Sequence, residues 1–207
     1  MRILGIDPGL ERTGYGVVEL PDGAGAPRLL EAGVIRTSPK DTLAARLIEI
    51  QEGLAAVLAE FRPDAAAVEE LYSHYAHPRT AILMGHARGT IYLTTAQAGV
   101  PITSYSATHI KKSLVGSGHA SKEQIQRAIQ SHFRLRRAPE PPDVADALAV
   151  ALCHAHRMSR AAIASTNSRE ATENRAAGEP THRARARQVG DPPRKAQRPI
   201  SQNGQTR

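Results

Sequence analysis

Residues 3–9 read ILGIDPG and residues 13–18 read TGYGVV, and these two segments decide how the rest of the chain is organised. The apolar residues of the first segment form a short run without polar alternation, which is typical of a strand covered on both faces. The Pro-Gly after it indicates a turn, so the second segment should return as an antiparallel strand. Asp7 then lies at the root of a hairpin. Its carboxylate either bonds to the backbone of its own turn or serves a function.

The pattern Gly-Ile-Asp-x-Gly at residues 5–9 also resembles the first phosphate loop of actin-like ATPases and sugar kinases. The hairpin by itself therefore indicates a fold superfamily and leaves the reaction open. The other acidic residues of the chain have to decide what the carboxylate does.

Composition favours a helix-rich α/β protein. Aromatic residues make up only 3% of the 207 residues and Trp is absent, so Ala, Leu, Ile and Val must fill the core. The single Cys153 excludes an internal disulfide framework and a Cys-based zinc site. No segment resembles a signal peptide or reaches the roughly 18–20 apolar residues of a membrane span. We therefore expect a cytoplasmic protein without a membrane partner.

Charge is distributed unevenly along the chain. The total is +7, but residues 159–207 hold 10 Lys and Arg against 4 Asp and Glu, which leaves the preceding part at 17 against 16. Within that part, residues 105–137 hold 7 basic side chains and 1 acidic one. Such an excess predicts a surface that binds nucleic-acid phosphates. Its basic residues are Lys111, Lys112, Lys122, Arg127, Arg134, Arg136 and Arg137.

A third strand is expected at residues 28–36, followed by a helix from about Asp41 to the Arg-Pro-Asp at residues 62–64. Residues 65–69, AAAVE, then predict a buried strand. A strand-helix-strand crossover places this strand parallel to the first, so both end at the same edge of the sheet. Glu69 and Glu70 point to opposite faces, and only one of them can share a site with Asp7.

Further helices are expected from about Arg79 to Ala98, between Ser106 and Gly116, and after a capping box at Ser121. The last helix starts after Pro142 and carries Asp143 and Asp146 in its first turn. Acids there commonly only complement the helix dipole. Together with Asp7 and a glutamate of the fourth strand, however, they match a hard-cation site, which needs several oxygen ligands and negative charges.

Residues 159–207 contain no aromatic residue and few large apolar ones. This composition predicts a disordered basic tail behind a single domain at residues 1–158.

Over residues 2–157 the chain resembles the RuvC family of bacterial Holliday-junction resolvases. The resemblance rests on an ordered set of motifs: LGIDPG at 4–9, TGYG at 13–16, AVE at 67–69, GxARG at 85–89, KxxxVGxG at 111–118, Lys122, and DVADAL at 143–148. It implies a ribonuclease H-like fold with a five-stranded mixed sheet flanked by helices. It also chooses the first glutamate, which gives a catalytic tetrad of Asp7, Glu69, Asp143 and Asp146.

The resemblance implies a metal-dependent endodeoxyribonuclease that resolves four-way DNA junctions in recombination and repair. Two Mg²⁺ ions, with Mn²⁺ as a substitute, would support hydrolysis at the tetrad. Lys111 and Lys122 match basic positions near the scissile strand, with Lys122 neutralising charge on the phosphate, and Tyr72 matches a base-stacking position where relatives often have Phe. The resemblance also implies RuvA and RuvB as partners in branch migration.

Two other functions are compatible with parts of the sequence. An actin-like ATPase or kinase needs a second large domain with another phosphate loop, for which the tail leaves no room. A nucleic-acid-binding module without chemistry does not need four convergent acids.

The substrate also predicts the oligomeric state. A four-way junction is resolved by two symmetric cuts, whereas each chain has one set of four acids, so we expect a homodimer. The helix that carries Gly85 and Gly89 is the expected interface, because small residues allow another helix to approach closely.

Overall fold

The computed structural model describes residues 1–21, 25–71 and 78–177. These ranges contain five strands and five helices, with the following bounds: β1 (Arg2–Asp7), β2 (Arg12–Glu19), β3 (Arg28–Arg36), α1 (Leu43–Phe61), β4 (Ala65–Glu69), α2 (Pro78–Gln97), β5 (Ile102–Tyr105), α3 (Ala107–Val115), α4 (Lys122–His132) and α5 (Pro142–Ala177). The chain divides into two compact units, Met1–Asn167 and Ser168–Arg207. All the strands belong to the first unit.

The strands form one mixed sheet in the order β3-β2-β1-β4-β5. The first three are antiparallel neighbours, and β1, β4 and β5 run parallel. The predicted hairpin and the predicted parallel pairing of β1 with β4 are therefore both confirmed.

Helices cover the sheet on both faces, and side chains alternate between two hydrophobic cores. Leu4 and Ile6 of β1 pack in the core with α1 and α2. Ile3, one residue away, packs in the core with α3, α4 and α5. Both cores contain side chains that are completely removed from solvent. Burying each such Leu or Ile contributes roughly 1.5–3 kcal/mol.

Two glycines let α5 lie directly on the sheet. A Cβ atom at Gly5 of β1 would stand 2.2 Å from the carbonyl oxygen of Ala147, and one at Gly14 of β2 would stand 2.1 Å from that of Asp143. Backbone atoms cannot yield to such overlaps, so any larger residue would push the helix away. The glycines thus bring the first turn of α5 down onto the end of β1.

The expected helix boundaries follow from local capping. Thr42, Ser106 and Ser121 cap the N-termini of α1, α3 and α4, and Ser121 forms the predicted capping box with Gln124. Gly116 ends α3 in the left-handed conformation, at a φ of 78°.

The prediction for the C-terminal segment is wrong over part of its length. Helix α5 does not end near Met158 but continues to Ala177, so residues 159–177 are helical. Extension of an existing helix avoids the cost of nucleation, and the Ala-rich run at residues 161–164 favours it. Residues 178–207 lie outside the described part of the chain. None of the helices in the described ranges has the length and hydropathy of a bilayer-crossing segment.

Candidate active site

Asp7 and Glu69 lie side by side at the ends of two parallel strands. Ile6 is paired with Val68 in the register of β1 and β4, so the residues that follow are neighbours. Alternation places Glu69 on the same face as Ala67, which packs in the α5 core. Asp7 shares that face with Gly5. Glu70 has the opposite parity and is exposed, so the geometry selects Glu69 as the partner of Asp7.

Asp143 and Asp146 come from the first turn of α5. Pro142 begins that helix, a position where its missing N–H costs nothing. Because the Asp143 backbone contacts Gly14, and Gly14 is the register partner of Asp7, the helix start is fixed beside the end of β1. The fold therefore brings the four predicted acids together.

The electrostatics of the site show how closely the acids interact. The pKa of Asp7 is raised to about 8, first by burial and then by the negative charges of the other three acids. The pKa of Glu69 is also raised, mainly by burial and then by Asp146, while Lys111 and Lys122 oppose that rise. A carboxyl group that is this buried and repelled keeps its charge only when a cation compensates it.

Two basic side chains compensate the acids of α5. Lys122 Nζ lies 3.0 Å from Asp146 Oδ2, and this hydrogen bond is the main reason why the pKa of Lys122 is raised. Arg12 Nε lies 3.2 Å from Asp143 Oδ2. Each helix-borne acid thus has a cation of its own.

The donor chemistry fits a divalent metal. All four side chains offer the oxygen ligands that hard cations prefer. In the described part of the chain, Asp143 Oδ2 is buried and accepts no hydrogen bond. Over the same residues, however, no three side chains are yet arranged closely enough to hold an ion. Since Asp143 and Asp146 are drawn toward Arg12 and Lys122, we expect these pairs to open when a metal binds.

A cavity of about 200 Å³ adjoins the two strand-borne acids. Pro8 and Glu70 line it on the side of the sheet, and Leu71, Ala81 and Met84 form an apolar wall. Asp7 and Glu69 therefore line a cavity that is bounded by residues of α2.

Comparison with known proteins identifies the family. The sequence model of "Crossover junction endodeoxyribonuclease RuvC" matches residues 3–154, which is most of the chain. The chain belongs to the RuvC family. The protein of that name from Rhodopirellula baltica is 53% identical over 153 residues, which cover 73% of this chain and 84% of the relative. The match confirms the family to which the motifs pointed.

Solved RuvC structures confirm the fold. Thermus thermophilus RuvC superposes with a TM-score of 0.70 at 40% identity, covering 76% of this chain and 96% of the other. The same protein in complex with a Holliday junction substrate gives a TM-score of 0.73 at 38% identity, covering 78% and 96%. The ribonuclease H-like fold with its five-stranded mixed sheet is thus as the RuvC resemblance implied.

The predicted basic residues are divided between different surfaces. Lys111 and Lys122 act on the acids, as their effect on Glu69 shows. Lys112 instead lines a separate cavity beside α3, together with His109 and Arg160. Arg127 is exposed on α4, where its charge acts on Glu123. Successive residues of a helix project about 100° apart, which explains why Lys111 and Lys112 separate. Tyr72 lies outside the described residues.

Sequence reasoning missed Arg12. The signal was the hairpin itself, because Arg12 has the same strand parity as Gly14 and therefore lies on the α5 face of β2. Residues 1–70 hold 7 Lys and Arg against 12 Asp and Glu, so counting charge by segment gave no reason to single out Arg12.

Proposed function

We propose that the chain resolves four-way DNA junctions by metal-dependent hydrolysis of two phosphodiester bonds. The observation that carries this proposal is the convergence of four acids at the ends of β1 and β4 and the start of α5, where burial and then the charges of the other three acids raise the pKa of Asp7 to about 8. Membership of a family of crossover junction endodeoxyribonucleases supports the substrate. The complex of Thermus thermophilus RuvC with a Holliday junction substrate supports it further.

In this proposal Asp7, Glu69, Asp143 and Asp146 hold two Mg²⁺ ions, with Mn²⁺ as a substitute. The RuvC family is one of divalent-metal nucleases. When bound, the metal supplies an activated water and stabilises the leaving 3′ oxygen. The buried strand ends fix Asp7 and Glu69 as ligands, and the packing of α5 on Gly14 fixes the other two.

The nearby lysines have a separate task. Lys122 is more than half exposed while it contacts Asp146, so its ammonium group can leave the acid and reach a phosphate. Lys111 belongs to α3, and its positive charge lowers the pKa of Glu69, which burial raises. As compact point charges, both would balance the negative charge that grows on the scissile phosphate.

We further propose that the active particle is a homodimer formed through α2. Ile82 and Leu93 of this helix are 62% and 61% exposed. Among the described residues, nothing lies within 4 Å of a Cβ atom built at Gly85 or Gly89. These four positions fall on one stripe of the helix, and within the described ranges this stripe does not pack on the chain's own sheet. An exposed apolar stripe with small residues at its centre suits a second copy of the same helix.

Leu93→Glu tests the dimer, because it places a charge on the stripe without disturbing the core of the monomer. We expect sedimentation to shift to monomer, and paired cuts in a junction to become independent nicks. Ile48→Glu on α1 is the matched control, since Ile48 is 55% exposed and lies on another helix. Dimeric Leu93→Glu protein with unchanged paired cleavage would exclude this interface.

On family resemblance alone, we also propose that the protein acts in the cytoplasm and that RuvA and RuvB are its partners. The function itself is tested by incubating a labelled four-way junction with the protein, with and without Mg²⁺. We expect symmetric nicks whose ends carry 5′-phosphate and 3′-hydroxyl groups, so that ligase can seal them. Cleavage in the presence of a chelator, or equal cleavage of plain duplex DNA, would contradict it.

A further inference from the structure

Arg12 makes an unusual contact at the rim of the acid cluster. Its Nε atom lies 3.2 Å from Asp143 Oδ2, yet in the described part of the chain this oxygen accepts no hydrogen bond of normal geometry. The two facts agree if the contact is an attraction between charges without alignment of the N–H group. Arg12 therefore neutralises Asp143 without a directional bond that would fix it there.

The two partners differ in exposure. The Arg12 side chain is 47% exposed, whereas that of Asp143 is 21% exposed. Arginine can therefore turn into solvent at little desolvation cost, while the carboxylate stays at the base of the site on α5. A half-exposed pair of this kind is weak, with a stabilisation of about 1 kcal/mol or less. A divalent cation carries twice the charge and can replace it.

We propose that Arg12 is a displaceable counter-ion of Asp143, which holds this acid in the metal-free protein and competes with the divalent cation for it. Arg12 is thus a positioning residue that acts through Asp143 and sets the affinity of the site for metal. The inference rests on the proposed metal site. It also explains why the four acids, although mutually repelling, do not yet form a coordination shell.

The test is a calorimetric titration of Mn²⁺ into the metal-free protein without DNA, at low ionic strength. Arg12→Gln removes the charge but keeps a polar side chain, and we expect Mn²⁺ to bind about two- to fivefold more tightly. The rise in melting temperature caused by Mn²⁺ should increase as well. Screening should reduce the difference between variant and wild type at high salt. Unchanged or weaker binding by Arg12→Gln would overturn the inference.

A matched control comes from another ion pair of the same sheet. Arg28 lies 2.8 Å from Glu19, outside the acid cluster. Arg28→Gln should leave the Mn²⁺ affinity as in the wild type. Arg12→Lys retains the charge, and its affinity should lie closer to the wild type than to Arg12→Gln. Equal tightening by Lys and Gln would mean that shape and not charge matters, against the proposal.

Asp7→Asn separates this inference from the proposed function. If the wild type binds Mn²⁺ and Asp7→Asn does not, the metal site exists, and the Arg12 variants then decide the inference alone. If the wild type itself binds no Mn²⁺ at this site, the proposed function fails first and the competition at Asp143 fails with it.

Discussion

The two acids on strands and the two acids on α5 are held in opposite ways. Asp7 and Glu69 are half-buried, burial and neighbouring acids raise their pKa values, and within the described residues neither makes an ion pair. Asp143 and Asp146 begin a helix, and each contacts a partly exposed cation. The two strand-borne acids thus lack a compensating positive charge, whereas the two helix-borne acids have one that a metal ion can replace. A bound metal supplies the missing charge to the strand-borne acids, but it must compete with Arg12 and Lys122 for the helix-borne acids.

The largest expected effect comes from removing a charge in the strand half. Asp7→Asn keeps the size of the side chain but removes a metal-binding charge, so we expect cleavage of a four-way junction to fall by several orders of magnitude while binding to it survives. Glu70→Gln is the control, because it changes the adjacent, oppositely directed acid and should leave cleavage intact. Loss of binding together with activity would make Asp7 a structural residue.

Asp7→Asn, which should lower activity, should raise the stability of the metal-free protein relative to the wild type as the pH increases. The pKa of Asp7 is about 8 in the folded protein and about 4 in the unfolded chain, so between these values the folded state binds more protons. Without metal, this contribution is fully present below pH 4 and is lost as the pH rises through 8.

Asn does not ionise, so in a chelator the melting temperature of Asp7→Asn should gain on that of the wild type from pH 5 to pH 8. For a chain of this size roughly 2–4 °C corresponds to each kcal/mol. If the difference in melting temperature between Asp7→Asn and the wild type stayed constant across this pH range, Asp7 would not be a buried carboxyl group without a compensating cation.

A smaller effect should distinguish the lysines. Lys122→Ala should reduce the rate of cleavage, because Lys122 contacts the site through Asp146. Lys112→Ala should leave the single-turnover rate unchanged, because Lys112 lines the separate cavity with His109 and Arg160. Should Lys112 contact a phosphate, its loss would lower the salt dependence of junction binding by about 0.9 in log-log slope. Equal rate losses for both variants would show that the two surfaces act as one.

The smallest effect is expected at the C-terminus. A chain ending at Asn167, where the first compact unit ends, should keep the fold and metal-dependent cleavage. A melting temperature far below that of the full chain, measured in the same buffer, would show that later residues stabilise the domain.

Much of this architecture could be predicted because local signals agreed with the global fold. The apolar run before Asp7, the Pro-Gly turn and the caps at Ser106 and Ser121 each determine structure within a few residues. The convergence of Asp7 with Glu69 followed from the parallel alignment that a strand-helix-strand crossover gives to the two strands.

The remaining features depend on information that local patterns lack. The pairing of Arg12 with Asp143 depends on side-chain conformations across 131 positions of sequence. The extension of α5 beyond Met158 was missed because polar composition was weighed above the helix propensity of Ala. Lys111 and Lys112 were assigned to one surface because charge was counted by segment and not by helix face.

The central claim is that the four acids together hold divalent metal. Crystals soaked in Mn²⁺ and measured near the manganese absorption edge test it directly. The account predicts anomalous density for two ions between Asp7, Glu69, Asp143 and Asp146, with Arg12 turned away from Asp143. Density elsewhere on the protein, or none at this site at a saturating Mn²⁺ concentration, would contradict it.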